Sequence, residues 1–413
     1  MKISKNIILA VSSIFLFLLI FELGTRPFIK PSPKCYGVLW GKELPPFKIT
    51  FGDKFQADYD QLAVGWVVDG QQMTKGDLWG ILKEDPVLGF VPVENAVSRN
   101  GWWQSNNWGA RAREDISKNI LPGKKRIIIF GDSFTNCSRV PQEETWPFFL
   151  NQKSDNLEFV NLGVDGYSMG QSFLRYENLR NKIDYDVAVL VFVPGLDLWR
   201  DINVLRQLDG WENYPLFSRF IVRQNKLELI SRPYKTYEDL QRNNFSDCSD
   251  VLKNYLRAYD RSYFTAKYES PPFIGGLISY KLLATVICQF QKKNLFKNMM
   301  NNNSEAIIVT QKIFEKINTE ANGDNKKFIL VYLPTAQDIR KYATDPLFRR
   351  QYVDMVSLSE KKGIICLNLM DDFLKLPPDQ FDFARDGVHY GPKSNKIISK
   401  IMWEKLNYMG AGQ

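Results

Sequence analysis

The chain has one histidine among 413 residues, and it lies in Asp386-Gly387-Val388-His389-Tyr390-Gly391-Pro392. Pro392 suits the first turn of a helix, so His389 belongs to the loop before it. Asp386, three residues earlier, can fold back across a turn and accept the Nδ1–H of the same imidazole. Nε2 is then free to take a proton from a hydroxyl, while the carboxylate steadies the imidazolium that results. A serine suited to this base stands far upstream, in Gly131-Asp132-Ser133-Phe134-Thr135, directly after the apolar run 126–130. A serine hydroxyl is a weak nucleophile without a base. Taken alone, the Asp132-Ser133 turn reads as a helix cap; beside Asp386 and His389 it acquires a chemistry.

The same count of one histidine excludes two-histidine zinc motifs. The five cysteines, Cys35, Cys137, Cys248, Cys288 and Cys366, form no C-x-x-C pair, so a thiolate zinc site is not expected either. No metal and no cofactor is expected. Lysine and arginine total 54 against 46 acidic residues, a formal net charge of +8. The basic clusters Lys124-Lys125-Arg126 and Arg349-Arg350 are too short for a nucleic-acid footprint, so no nucleic-acid partner is expected. With 44% hydrophobic and 24% charged residues, the chain has ordinary globular usage.

The elements that must position these residues follow from the apolar pattern. After Gly123, uninterrupted strand-length apolar runs at 126–130, 158–163, 187–193, 327–333 and 363–369 alternate with helical patterns at 146–152, 171–182, 304–318, 347–361 and 392–406. Strands apolar on both faces, alternating with helices, imply a parallel sheet covered on both sides, an α/β fold. Ser133 then stands at the carboxyl end of the first strand, where open α/β sheets place their ligands. Three segments are expected: 1–30 as a signal anchor, 31–120 as a linker and β-rich or irregular arm, and 121–413 as the main domain with an insertion at about 201–303.

At the amino terminus Lys2 and Lys5 precede an apolar run, 7–21, closed by Glu22. A spanning helix needs about 20 residues, and Leu23 and Gly24 extend the run toward that length. No A-x-A-like cleavage site follows, which favours an uncleaved, single-pass anchor with the body outside the cytoplasmic membrane, although Arg26, Lys30 and Lys34 offset the positive-inside count. In the arm, Gly65-Trp66-Val67-Val68 and Gly89-Phe90-Val91-Pro92-Val93 read as short strands. Trp102, Trp103 and Trp108 would suit sugar stacking, but packing onto the main domain is favoured. Within the insertion, the apolar segment 277–290, followed by Lys292, Lys293 and Lys297, is expected to be a buried helix, with a lid or a membrane-surface helix as alternatives.

Gly131-Asp132-Ser133, Gly166 and the Asp386/His389 pair resemble blocks I, II and V of the SGNH hydrolases, the GDSL esterase/lipase family. Asp132-Ser133-Phe134-Thr135, Glu144-Thr145-Trp146-Pro147 and 161–167 resemble its membrane-anchored bacterial branch. The resemblance spans about 85–402, without the insertion. It implies a flavodoxin-like three-layer sandwich, Ser133 as nucleophile, His389 as base, Asp386 as its orienter, and an oxyanion hole from the N–H groups of Ser133 and Gly166. One block departs. Where the family carries an asparagine that supplies a third oxyanion donor, Pro194-Gly195-Leu196-Asp197 places Leu196. Loss of one such donor typically costs about 3–4 kcal/mol. Asp197, and Asp132 beside the serine, are possible site residues; for Asp197 a cap role with Arg200 one turn on weighs equally.

Gly166-Tyr167-Ser168-Met169-Gly170 also matches the G-x-S-x-G elbow of α/β-hydrolases. Val164 and Asp165 separate it from the strand, so Ser133 is favoured over Ser168. Cys137 reads as a packing residue rather than a second nucleophile. The resulting expectation is an esterase acting on O-acyl esters of an envelope glycan or lipid through an acyl-serine. An O-acyltransferase with the same site and a non-catalytic binding or assembly protein are the alternatives.

Overall fold

The computed structural model describes residues 5–49, 67–68, 71–72, 82–97, 102–209, 216–236, 239–240, 242 and 249–408. Contacts divide the chain into two compact units. One is Met1–Gly52 with Leu240–Lys297, and the other is Asp53–Asp239 with Asn298–Gln413.

The larger unit is built on five parallel strands: β1 (Lys125–Phe130), β2 (Leu157–Asn161), β3 (Val187–Phe192), β4 (Lys327–Tyr332) and β5 (Ile365–Asn368). Their spatial order is β2-β1-β3-β4-β5, the doubly wound order in which the chain reverses direction of travel between β1 and β3. Ile128 of β1 aligns with Val160 on one side and Ala188 on the other, and Leu330 of β4 aligns with Leu190. β3 lies in mid-sheet and all six of its residues are buried, as an uninterrupted apolar run predicts.

Among the described residues, nine helices of the larger unit complete the layers: α1 (Ser133–Asn136), α2 (Trp146–Asn151), α3 (Met169–Leu179), α4 (Pro194–Asp201), α5 (Glu305–Gly323), α6 (Ala336–Thr344), α7 (Pro346–Glu360), α8 (Met370–Leu374) and α9 (Pro392–Tyr408). Successive strand residues face opposite sides of the sheet. Val187, Val189 and Val191 of β3 join Ile127 and Ile129 in a core that includes Trp146 and Leu150 of α2 and Ile398, Met402 and Leu406 of α9. On the other face Phe192 meets Phe314 of α5 edge-on at 5.2 Å between ring centroids, and Phe130 meets Tyr176 of α3 at 5.8 Å. The α/β expectation therefore holds. Helix α6 has no counterpart in the sequence pattern, because it is short and polar. Its start was nonetheless written in Thr335-Ala336-Gln337-Asp338, which forms a reciprocal capping box.

Among the described residues of 31–120, antiparallel strand pairs form at three places, one of them Val67–Val68 with Gln71–Gln72. A hairpin of Leu82–Asp85 and Gly89–Pro92 belongs to the larger unit, where Phe90 and Trp103 join Val164 and Tyr167 in a second apolar cluster. Trp103 Nε1 donates to Asn136 Oδ1 at 3.1 Å, and Trp108 Nε1 to the carbonyl of Ile116 at 2.9 Å. These tryptophans pack rather than present a stacking platform. Gly65 and Trp66 lie outside the described residues, as do Cys248 and most of the polar stretch 242–250.

In the smaller unit a second hairpin pairs Cys35–Leu39 with Lys42–Phe47. The amino-terminal apolar segment is a helix, Lys5–Thr25. Among the described residues no helix is long and apolar enough to cross a membrane. The insertion contributes helices Asp250–Tyr259 and Ile278–Asn298 to this unit. The second of these corrects the buried-helix expectation. Only the face with Ile278, Lys281, Ala284 and Cys288 is buried, while Leu283, Val286, Ile287 and Phe290 are exposed. Among the described residues, the unit packs against one side of this helix.

Candidate active site

β1 delivers the chain to Gly131, where a side chain would collide with Thr135 Oγ1 and approach the Val191 carbonyl to 3.0 Å. Glycine is required for this close passage. Asp132 caps α1, accepting the N–H of Phe134 at 2.9 Å, so Ser133 occupies the first helical position. Neither the N–H of Ser133 nor that of Gly166 is engaged by an acceptor among the described residues. Unpaired N–H groups, that of Ser133 at the start of α1 and that of Gly166 in the loop after β2, suit a developing negative charge.

His389 arrives from the other end of the chain on a turn that Asp386 organises. Asp386 Oδ1 accepts the N–H groups of Val388 and His389, each at 3.0 Å, and Gly387 takes a left-handed φ of 69°. His389 Nδ1 lies 2.6 Å from Asp386 Oδ2, and Nε2 lies 2.7 Å from Ser133 Oγ. Because a carboxylate only accepts, Nδ1 carries the proton and Nε2 faces the serine as an acceptor. Phe134 lies against the imidazole with ring centroids 4.7 Å apart. Arg139 Nε stands 3.3 Å from Asp386 Oδ2. Partial burial by itself would raise the Asp386 carboxyl. The hydrogen bond and charge of His389, joined by the two backbone N–H groups, outweigh it and hold the group well below the ordinary carboxylate range.

Asp132 and Asp197 do not face the open site. Both are fully buried and share Arg200, whose Nη1 lies 2.6 Å from Asp132 Oδ2, 3.1 Å from Asp197 Oδ1 and 3.4 Å from the Tyr167 carbonyl. Asp197 Oδ2 also accepts the N–H of Val193, the residue before α4, at 2.7 Å; Asp197 itself stands in the first turn of α4 and is not its N-cap. Burial pushes both carboxyls up against the pull of Arg200, and the charge of Asp132 pushes Asp197 further. Sequence reasoning did not find the link from Arg200 to Asp132, since the partners are 68 positions apart. A buried arginine shared between two acids becomes visible only once β1 and α4 are adjacent.

Gly166, at φ 71°, turns the loop after β2. Its carbonyl accepts from Arg206 Nη1, whose Nη2 donates to Gln171 Oε1 at 2.7 Å. Tyr167 Oη donates to the Phe90 carbonyl at 2.6 Å, tying the same loop to the hairpin.

A cleft of about 470 Å³ opens beside His389, Asp386 and Val388. Leu196 and Gly195 line it from α4, together with Arg200, and Thr335, Gln337 and Arg340 line it from the start of α6. Leu196 thus presents an apolar wall to the cleft. The three polar residues on and before α6 were missed for the same reason as the helix itself.

The rival nucleophiles are placed elsewhere. Ser168 Oγ accepts the N–H of Gln171 at 3.2 Å, and the Gln171 side chain returns to the Ser168 N–H at 3.1 Å, a capping box that starts α3. Cys137 is buried in the core beside Phe134, and burial pushes its thiol up to about 12. A thiol held there is neutral at ordinary pH.

No family model matches the chain, and no curated protein matches it. Solved structures similar to it include a lipolytic protein of the G-D-S-L family from Veillonella parvula, at 13% identity and a TM-score of 0.31, covering 68% of this chain and 97% of that one. An esterase, EstA, from Pseudoalteromonas sp. is similar at 13% identity and a TM-score of 0.35, covering 69% and 98%. An acetylxylan esterase, Axe2, from Geobacillus stearothermophilus is similar at 13% and 0.35, covering 69% and 96%.

Proposed function

We propose that this chain is a serine esterase of SGNH type that cleaves O-acyl esters of a cell-envelope glycan or lipid. The observation that carries this reading is the relay Ser133–His389–Asp386, with contacts of 2.7 and 2.6 Å already formed at the mouth of a cleft. Ser133 Oγ attacks the acyl carbon while His389 Nε2 takes its proton. The carbonyl electron pair moves onto oxygen, where the N–H groups of Ser133 and Gly166 receive it. The C–O bond to the leaving alcohol then breaks as Nε2–H protonates that oxygen. Water, deprotonated by His389, attacks the acyl-serine and releases the carboxylic acid and Ser133. The Asp386 carboxylate stays ionised throughout and stabilises each imidazolium.

The exposed apolar helix Lys5–Thr25 supports a second part of the proposal, that the chain is held at the cytoplasmic membrane with its body outside. A fluorophosphonate probe followed by peptide mapping tests the chemistry. Labelling at Ser133 that disappears in His389→Ala supports the esterase. A folded chain that takes no label would overturn it in favour of a binding protein.

A further inference from the structure

We propose that the outward face of the helix Ile278–Asn298 is a membrane contact, seated in the interfacial layer of an anionic lipid bilayer. This goes beyond the esterase reading and does not depend on it; it shares with the anchor the membrane and the junction at Glu22.

Leu283, Val286, Ile287 and Phe290 follow the spacing i, i+3, i+4, i+7, which puts them on one stripe of the helix. All four are exposed, Phe290 to 69%. The opposite face is the one that packs. Ile278 joins Leu39 and Leu44 in an apolar cluster. Lys281 Nζ donates to the Pro45 carbonyl at 3.0 Å and lies 3.8 Å from the centre of the Tyr36 ring. The helix therefore has its hairpin on one side and large apolar side chains in water on the other. A soluble surface rarely gathers such a stripe without a partner.

Charge identifies the partner. The sequence of the helix, ISYKLLATVICQFQKKNLFKN, holds four lysines and no acid. Lys293 and Lys297 extend the apolar stripe by further steps of three and four, and both are exposed. Exposed lysines next to exposed apolar side chains suit a surface that takes the apolar groups below a layer of anionic headgroups.

Attachment to the first helix places the stripe. Glu22, near the end of the apolar helix Lys5–Thr25, accepts the N–H groups of Ile278 and Ser279 at 2.6 and 2.8 Å, and the Ser279 hydroxyl at 2.5 Å. Around that junction Leu23, Phe273 and Ile274 are also exposed. Both helices, each with exposed apolar side chains, are joined at Glu22 within a single compact unit.

The test uses the full chain with a photoreactive benzophenone amino acid at Phe290, or at Phe15 in the first helix, reconstituted with vesicles of phosphatidylglycerol and phosphatidylethanolamine. On illumination, lipid adducts are expected at both positions. The adduct at Phe290 should fall about fivefold for each of Lys293→Gln and Lys297→Gln, and should fall as well on phosphatidylcholine vesicles. A thermal melt confirms that each variant is folded. A lipid adduct at Phe15 without one at Phe290 overturns this inference and leaves the anchor standing. The converse keeps the stripe and removes the anchor. A chain-to-chain crosslink at Phe290 assigns the face to a second copy and overturns the inference. Absence of adducts at both positions overturns both proposals.

Discussion

Arg200 Nη1 lies 2.6 Å from Asp132 Oδ2, so one buried guanidinium fastens the residue before Ser133 to the helix that carries Leu196. The same nitrogen reaches Asp197 and the Tyr167 carbonyl next to Gly166. The two loops expected to supply oxyanion donors are therefore held to a common cation. Removing that cation leaves two buried carboxyls without their counter-charge, which costs about 3–5 kcal/mol. Arg200→Met should lower the free energy of urea unfolding by this amount. In whatever fraction stays folded, labelling of Ser133 by the fluorophosphonate should slow. A variant as stable as the parent would refute the role assigned to Arg200.

The relay itself predicts a non-additive pattern. Ser133→Ala and His389→Ala should each reduce kcat for a simple aryl ester by about 10⁴-fold or more, and the double variant should be no worse than either single one, because the two groups act as a unit. Ser168→Ala removes a helix cap instead, at a cost of about 1 kcal/mol in stability, and should leave kcat close to that of the parent. Initial-rate kinetics on the four variants and the parent checks both statements. Additive losses from Ser133 and His389 would contradict the relay.

Much of this geometry was legible because the informative signals are local. Apolar runs 187–193 and 327–333 contain β3 and β4, and the run 126–130 matches β1 to within one residue, since a strand buried on both faces needs no polar alternation. The Asp386 turn was legible because its hydrogen bonds span three residues. Ser168 was the instructive ambiguity. Its elbow-like glycines suggested a nucleophile, but Ser168-Met169-Gly170-Gln171 also spells the S-x-x-Q capping box that the structure contains. What stayed hidden was long-range: the Asp132–Arg200–Asp197 cluster, the joining of residues 1–52 with 240–297 into one unit, and the exposed face of Ile278–Asn298. Each depends on which surfaces meet, and periodicity along one segment carries no information about that.

Asp386 makes stability depend on pH in a definite direction. Its carboxyl is held well below the ordinary range in the folded chain, whereas an unfolded aspartate titrates near about 3.9. The folded state thus binds fewer protons, and the stabilisation is fully present above about pH 4 and is lost as pH falls through the folded value. Asp386→Asn removes this component. The stability gap between parent and variant, measured by urea unfolding from about pH 5 down to about pH 2, should narrow with acidification. A gap that widens over that range would mean the carboxyl is not depressed by its partners.

Leu196 stands where the resemblance implies a third oxyanion donor, and the proposed mechanism can be tested there by supplying one. The residue lines the cleft from the first turn of α4, next to Gly195 and one turn before Arg200. A single well-placed oxyanion donor is worth about 10²–10³ in kcat. If the N–H groups of Ser133 and Gly166 work alone, Leu196→Asn should raise kcat by at least about tenfold. KM should change little, because the donor is engaged chiefly once charge has developed on the substrate oxygen. An unchanged kcat in a folded variant would show that another polar group of the cleft already fills the place. Gln337 and Arg340 on α6 line the same cleft, and each would then lose activity when truncated to alanine in the Leu196 parent but not in the Leu196→Asn variant.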